Sequence, residues 1–150
     1  MLSVKHILAP TDFSEPSYEA IHLACEMAHH FEAQITLLHV IASVPIISTA
    51  HDQVGFDVVG YQEELEAYAH KMLEKLEKEK IPSDLRTQKV VLHGDPASAI
   101  IDQIRDTKYD LIVISTHGMT GLRHILFGSV TERVLKSSSI PVLTVPYQKS

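Results

Sequence analysis

The stretch LIVISTHGMTGLRHILFGS, residues 111–129, decides the fold. It opens with the apolar run Leu111–Ile114, which has the length of a buried strand. Small and polar residues follow, and the stretch ends at Gly128-Ser129, just ahead of an apolar pattern with helical spacing. Glycines let a backbone approach an anion closely, and the amides and positive dipole end of a helix start can hold it. The order strand, glycine loop, helix start therefore predicts a phosphate-binding site.

The composition predicts one globular domain over residues 1–150. Of the 150 residues, 45% are hydrophobic, and 13 basic residues face 19 acidic ones, for a net charge of −6. This balance argues against general binding of nucleic acid. We expect no membrane helix, which needs roughly 20 apolar residues, and no signal peptide in MLSVKHILAP. The single cysteine, Cys25, excludes an intramolecular disulfide, so a cytoplasmic protein is expected.

Short apolar runs alternate with segments of helical spacing along the chain. Such alternation predicts an α/β fold, a doubly wound parallel sheet of five strands with helices on both faces. In these sheets, ligands bind at the carboxyl edge where the strand order reverses. The predicted strands are Val4–Ala9, Ile35–Ile41, Leu85–Leu92, Tyr109–Ile114 and Val142–Val145. The first predicted helix is capped by Ser14 or Glu15, and the third begins at Pro96 behind the N-cap Asp95. The second and fourth begin at about Tyr61 and at about Gly128.

The segment Ala42–Gly60 has no sustained hydrophobic period. We interpret it as a long loop on the carboxyl edge of the sheet. Loops of this length are uncommon unless they are functional or disordered, so it is a candidate for a segment that a ligand orders.

The glycine pattern resembles that of the universal stress protein family, whose ATP-binding members carry G-x-x-G-x9-G-[S/T] at this place. Gly118, nine residues and Gly128-Ser129 match the pattern, and Ser115 stands where the family has its first glycine. The likeness covers essentially all 150 residues. It also includes Pro10-Thr11-Asp12 after the first strand, Gly94-Asp95-Pro96 before a helix and Pro141-Val142-Leu143 at the last strand.

This resemblance implies a Rossmann-like sheet of strand order 3-2-1-4-5 and ATP as the ligand. The order places the first and fourth strands side by side, so the turn at Asp12 and the glycine loop would flank one crevice. Asp12 would bond the adenosine portion, and helix-start amides would hold the phosphates together with Arg123 and His124. The predicted nucleotide-binding residues are Ala9, Pro10, Thr11, Asp12, Val40, Ser115, His117, Gly118, Arg123, Gly128, Ser129, Val130 and Thr131.

The resemblance also implies individual roles within this crevice. Val40 and Ala9-Pro10 would line the adenine slot, while Ser129 and Thr131 would add hydroxyl donors to the amides of Gly118, Gly128, Ser129 and Val130. Ser115 adds a side chain where the family has none, so it could crowd the ligand or donate a hydrogen bond. We expect it to weaken ATP binding without abolishing it. His117 is expected to be a loop residue or a backbone hydrogen-bonder.

The ten histidines do not form a recognised metal motif. His29 and His30 are adjacent on a predicted helix and diverge by about 100°. His117 and His124 lack a thiolate or carboxylate at a known ligand spacing. We expect no dedicated metal site, and Mg²⁺ would arrive with the phosphates of ATP. AMP or ADP could replace ATP in the crevice.

The preferred interpretation is a nucleotide-binding module of stress response or signalling. In the family, the strand corresponding to Val142–Val145 pairs between subunits, so a homodimer is expected. One alternative is a slow ATPase or phosphotransferase, although no Walker lysine follows the glycines. Another is a dimeric adaptor that binds no nucleotide. A phospho-acceptor receiver domain requires an acidic pair after the first strand, and this chain has only Asp12 there.

Overall fold

Strands and helices alternate along the chain in the computed structural model, which describes residues 3–43, 57–117 and 127–148. The strands are β1 His6–Pro10, β2 Gln34–Ile41, β3 Thr87–His93, β4 Leu111–Ser115 and β5 Val142–Val145. The helices are α1 Glu15–Phe31, α2 Val58–Lys80, α3 Pro96–Asp106 and α4 Ser129–Ser137.

The strands form one parallel sheet in the order β3-β2-β1-β4-β5, which confirms the predicted α/β fold and strand order. The strand β1 pairs with β2 from His6↔Gln34 to Pro10↔Leu38 and with β4 at Ile7↔Leu111 and Leu8↔Ile112. The chain therefore winds outward in opposite directions from β1 and β4. Their carboxyl ends define the edge at which such folds bind ligands.

Two apolar clusters lie on the two faces of the sheet. Ile7, Ala9 and Leu37 are buried on the face covered by α1 and α2. Leu8, on the opposite face, belongs to a second cluster with residues of α3 and α4. Successive side chains of a strand point to opposite faces, and both faces of this sheet are covered. This explains why the segments Ile7–Ala9 of β1 and Leu111–Ile114 of β4 are apolar without interruption.

Helix starts agree with the capping residues predicted from the sequence. The side chain of Ser14 accepts from the Ser17 amide at the start of α1, and Asp95 accepts from the Ser98 amide at 3.0 Å at the start of α3. Pro16 and Pro96 occupy first-turn positions, where the missing amide hydrogen costs no helical hydrogen bond.

The helix α2 begins earlier than predicted. It starts at Val58, so Gly60 lies in its first turn and not in the loop assigned to Ala42–Gly60. The Asp57 carboxylate caps this turn by accepting from the Gly60 amide at 2.9 Å. A Cβ at Gly60 would overlap that carboxylate, so glycine makes room for the cap. The rest of the predicted loop, residues 44–56, lies outside the described residues.

Strand boundaries also shift by up to two residues at their starts. The strand β1 begins at His6 and not at Val4, and β4 begins at Leu111 and not at Tyr109. The Asp110 carboxylate accepts from the Lys5 amide (2.8 Å) and the His6 amide (3.0 Å). This side chain takes the place of backbone acceptors where the two strands begin, which explains the shorter ladder.

Two further properties bear on the function classes. In residues 3–43, 57–117 and 127–148, no helix has the length and apolarity required to cross a membrane.

Cys25 is buried in α1, and burial, with the nearby Glu26 carboxylate, raises the pKa of its thiol to about 11. A neutral, buried thiol is a poor nucleophile, so Cys25 behaves as a core residue.

Candidate functional site

A cavity of about 300 Å³ opens at the carboxyl edge of the sheet, where β1 and β4 diverge. Its volume lies within the range of small-molecule sites. The walls come from the ends of β1, β2 and β4 and from the N-terminal parts of α1, α3 and α4. The lining residues are Pro10, Thr11, Asp12, Ser17, Leu38, His39, Val40, Pro96, Ile100, Ile114, Ser115, His117, Gly128, Ser129, Val130 and Thr131.

The turn between β1 and α1 forms one side of the cavity. The Thr11 amide donates to the Leu38 carbonyl (2.8 Å), and the Thr11 and Ser17 hydroxyls are hydrogen-bonded (2.8 Å). Asp12 accepts from the Ser14 amide (3.1 Å) and from the Ser14 hydroxyl. These bonds hold the Asp12 carboxylate at the cavity.

An apolar wall faces this turn. Leu38 and Val40 come from β2, Ile100 from α3 and Ile114 from β4, and all four line the cavity. They belong to, or pack against, the cluster on the α3–α4 face of the sheet. Such a wall suits the faces of a planar, weakly polar ring.

Ala9 does not line the cavity, contrary to the prediction from the sequence. It is fully buried on the opposite face of the sheet, in the cluster that packs against α1. Pro10 does line the cavity. The difference follows from the strand period, because neighbouring side chains point to opposite faces.

The start of α4 contributes backbone donors. Gly128 is the N-cap with φ −65° and ψ 161°, and among the described residues no side chain caps this helix start. The amides of Ser129 and Val130, the first two helical residues, have no acceptor within the part of the chain that the structure describes. Amides in this position, together with the helix dipole, attract an anion.

Two predicted donors at this helix start already have protein partners. The Gly128 amide donates to the Thr116 carbonyl (2.6 Å), and the buried Thr131 hydroxyl donates to the Ser115 carbonyl (2.7 Å). In this structure neither group is available to a phosphate. Both bonds instead tie α4 to the end of β4, so these residues shape the cavity wall.

Ser115, at the place of the family's first glycine, does not fill the cavity. Its hydroxyl donates to the His117 carbonyl (2.8 Å), which closes a tight turn after β4. Among the described non-glycine residues, only Phe13 and Glu32 have positive φ. The backbone at Ser115 therefore does not require glycine, and the side chain is accommodated at the wall.

His117 lies just beyond β4, as expected for a loop residue, and its ring Nδ1 is hydrogen-bonded to the Thr116 hydroxyl (2.9 Å). The predicted site residues Gly118 and Arg123, and the neighbouring His124, lie outside the described residues. Within the described ranges, no group of three or more His, Cys, Asp or Glu residues is arranged to hold a metal ion.

Sequence reasoning missed six lining residues: Ser17, Leu38, His39, Pro96, Ile100 and Ile114. Strand periodicity could have identified Leu38, since it shares a face with the predicted Val40. Pro96 and Ile100 are one turn apart on α3, and only the packing of that helix against α4, β2 and β3 brings them to the cavity.

An ion pair joins the two helices whose first turns border the cavity. Arg133 of α4 contacts the Asp95 carboxylate (2.6 Å) and the Ser98 hydroxyl (3.0 Å). Hydrogen bonds from the Ser98 hydroxyl and amide, and then from Arg133, lower the pKa of Asp95 to about 2. Because this pKa is depressed, the stabilisation is present above the ordinary carboxyl pKa and is lost as the pH falls toward 2.

Comparison with known proteins identifies the family. The Universal stress protein family matches residues 3–146. Universal stress protein MJ0531 of Methanocaldococcus jannaschii is 34% identical over 145 residues, which cover 97% of this chain and 84% of that protein. The solved structure of protein MJ0577 of the same organism is 32% identical, has a TM-score of 0.79 and is covered over 99% of both chains.

Three more distant solved structures share the fold and contain adenine nucleotides. A universal stress protein in complex with cAMP is 17% identical (TM-score 0.65; 96% and 98% covered). The Archaeoglobus fulgidus protein in complex with dAMP is 17% identical (0.56; 96% and 98%), and an Arabidopsis thaliana protein with AMP bound is 15% identical (0.60; 96% and 92%). The match along residues 3–146, together with the sheet order and the relatives' identity, shows that this chain belongs to the universal stress protein family.

Proposed function

We propose that this chain binds an adenine nucleotide in the cavity between β1 and β4 and acts as a nucleotide-dependent module of stress response or signalling. One observation carries the proposal. A single cavity combines an apolar wall with two helix-start amides that lack an acceptor in the described part of the chain. The nucleotides held by three structural neighbours support the same ligand class.

The parts of a nucleotide match the parts of the cavity. The base would lie against the apolar side chains of Val40 and Ile114, and the ribose hydroxyls would bond to the Asp12 carboxylate. The α-phosphate would accept from the amides of Ser129 and Val130, where the helix dipole favours negative charge. This assignment places a weakly polar group on the apolar wall and the anion at the positive end of α4.

ATP is the preferred nucleotide in this proposal. ADP and AMP are the alternatives, because they have the same adenosine and α-phosphate. The outer phosphates carry further negative charge, and the Asp12 carboxylate at the cavity is negative as well. Cations are therefore needed beside the outer phosphates. Arg123 and His124, which follow Gly118 in sequence, and Mg²⁺ carried by the phosphates are the proposed partners.

Isothermal titration with AMP, ADP and ATP, each with and without Mg²⁺, tests the proposal. Val40→Trp would fill the apolar wall and is expected to abolish binding. Val91→Trp is the matched control, because Val91 is a similarly half-buried valine that packs on the opposite face of the sheet. The absence of heat at millimolar nucleotide for the wild-type protein would refute the proposal.

Ser115→Gly is expected to strengthen nucleotide binding by roughly threefold to tenfold, equivalent to about 0.7–1.4 kcal/mol. The substitution removes a side chain from the cavity wall and lets the ligand approach the backbone. Titration of Ser115→Ala alongside separates the two parts of the side chain, since alanine removes only the hydroxyl bond to His117. Equal affinity of the glycine variant and the wild type would show that Ser115 does not crowd the ligand.

We further propose a homodimer formed through β5. This strand lies at the edge of the sheet and pairs with β4 on one side. All four of its residues are partly buried and keep some exposed surface, and an apolar edge strand readily pairs with another chain. Light scattering at micromolar concentration is expected to give twice the mass of one chain, and the mass of a single chain would contradict the dimer.

A further inference from the structure

The turn that carries Asp12 is held by a side chain from the neighbouring strand. His39, near the carboxyl end of β2, donates from its ring Nδ1 to the Thr11 carbonyl (2.8 Å). A carbonyl can only accept, so Nδ1 carries the hydrogen. The Thr11 amide donates to Leu38. The amide and the carbonyl of Thr11 are thus both hydrogen-bonded to consecutive residues of β2, Leu38 and His39.

The same imidazole also supports the far side of the turn. Its ring lies against the Phe13 ring, with centroids 4.4 Å apart and planes tilted by 30°. Phe13 has a φ of 63°, a left-handed conformation that non-glycine residues rarely adopt and that needs support from the surrounding structure. His39 therefore contacts the residues on both sides of Asp12.

We propose that His39 is a positioning residue for the nucleotide site, acting through its Nδ1–H group on the turn that presents Asp12. The proposal rests on the proposed function, since Asp12 is there assigned to the ribose. His39 holds the turn by a directional bond to Thr11 and by the ring contact with Phe13. It thereby sets the distance between the Asp12 carboxylate and the amides at the start of α4.

Two substitutions separate the hydrogen bond from the rest of the side chain. His39→Leu removes the donor, and His39→Asn restores one, because the asparagine Nδ2 and the histidine Nδ1 are the same number of bonds from Cα. His93→Leu is the matched control. His93 ends the adjacent strand β3, is hydrogen-bonded to Glu66 (3.2 Å) and does not line the cavity.

The measurements are AMP affinity by titration calorimetry and amide hydrogen exchange without nucleotide. The Phe13 amide donates to the Thr11 hydroxyl and the Ser14 amide to Asp12, so their exchange reports on the turn. We expect His39→Leu to weaken AMP binding about fivefold to tenfold and to speed exchange at both amides by a similar factor, the usual net effect of one hydrogen bond. His39→Asn should return both values to within about twofold of wild type, since one donor is restored.

The outcomes are distinct. Unchanged affinity and exchange in His39→Leu would overturn the proposal, as would an asparagine variant that behaves like the leucine variant. Faster exchange throughout the sheet would also overturn it, because that result indicates general destabilisation. If the wild-type protein binds no nucleotide, the proposed function fails, and exchange at Phe13 and Ser14 alone decides whether His39 holds the turn.

Discussion

Ser129→Pro is expected to weaken binding of AMP and ATP by about tenfold to a hundredfold, because it deletes one backbone donor from the proposed phosphate site. A hydrogen bond to a charged group contributes roughly 1.5–3 kcal/mol, which corresponds to this range of affinity. Ser129 is the first residue of α4, and its amide makes no hydrogen bond within the helix.

The helix should tolerate this proline. Proline is favoured at the first helical position, and α1 and α3 already have proline in their first turns. The preceding residue, Gly128, has φ −65° and ψ 161°, the extended conformation that a residue before proline prefers. The substitution therefore removes the donor while the backbone keeps its path.

Ser129→Ala is the control for the lost hydroxyl, since it keeps the amide. Titration calorimetry compares the two variants, and thermal unfolding verifies that both are folded. If the proline variant binds nucleotide as tightly as the alanine variant, the amide at the start of α4 is not part of the phosphate site. The same result would leave the apolar wall, tested separately through Val40, as the remaining support for nucleotide binding.

Leu37→Ala is expected to lower the free energy of unfolding by about 2–5 kcal/mol, the usual cost of truncating a fully buried leucine. Leu37 lies in the central part of β2, has no exposed surface and belongs to the cluster covered by α1 and α2. The loss is large beside the total stability of a domain, about 5–15 kcal/mol. The substitution does not alter side chains on the opposite face of the sheet, which forms the cavity wall.

Urea unfolding measures this effect through the transition midpoint. Leu135→Ala on α4 is the matched control, because Leu135 is 37% exposed and its truncation should cost far less. A change below about 1 kcal/mol in Leu37→Ala would mean that the surrounding side chains collapse into the space. The packing of α1 and α2 on β2 would then be looser than the buried cluster indicates.

The candidate site differs from the sequence prediction both in its membership, since six lining residues were not predicted, and in the direction of its groups. Of the predicted residues within the described ranges, Ala9 alone does not line the cavity. Gly128 and Thr131 are present, but their donors serve Thr116 and Ser115. A motif specifies which residues lie near a ligand. The acceptor of each amide or hydroxyl donor depends instead on neighbours that are distant in sequence.

The sequence by itself determined the order of the strands and helices along the chain and the N-cap Asp95, and it limited the cap of α1 to Ser14 or Glu15. The glycine pattern that ends at Gly128-Ser129, and the family resemblance that it carries, were also visible in the sequence alone. These features depend on hydrophobic period and local backbone chemistry, which act over a few residues. For the same reason the alternation of strands and helices was sufficient to predict a parallel sheet.

Only the tertiary structure decided which helix starts border the cavity, which face of β1 borders it and which side chain supports the Asp12 turn. His39 and Thr11 are 28 residues apart in sequence, and Asp95 meets Arg133 across 38 residues. Contacts of this kind form only when packed elements bring their ends together at one edge of the sheet. Local sequence patterns contain no signal for them, because the burial and geometry that select each partner exist only in the folded chain.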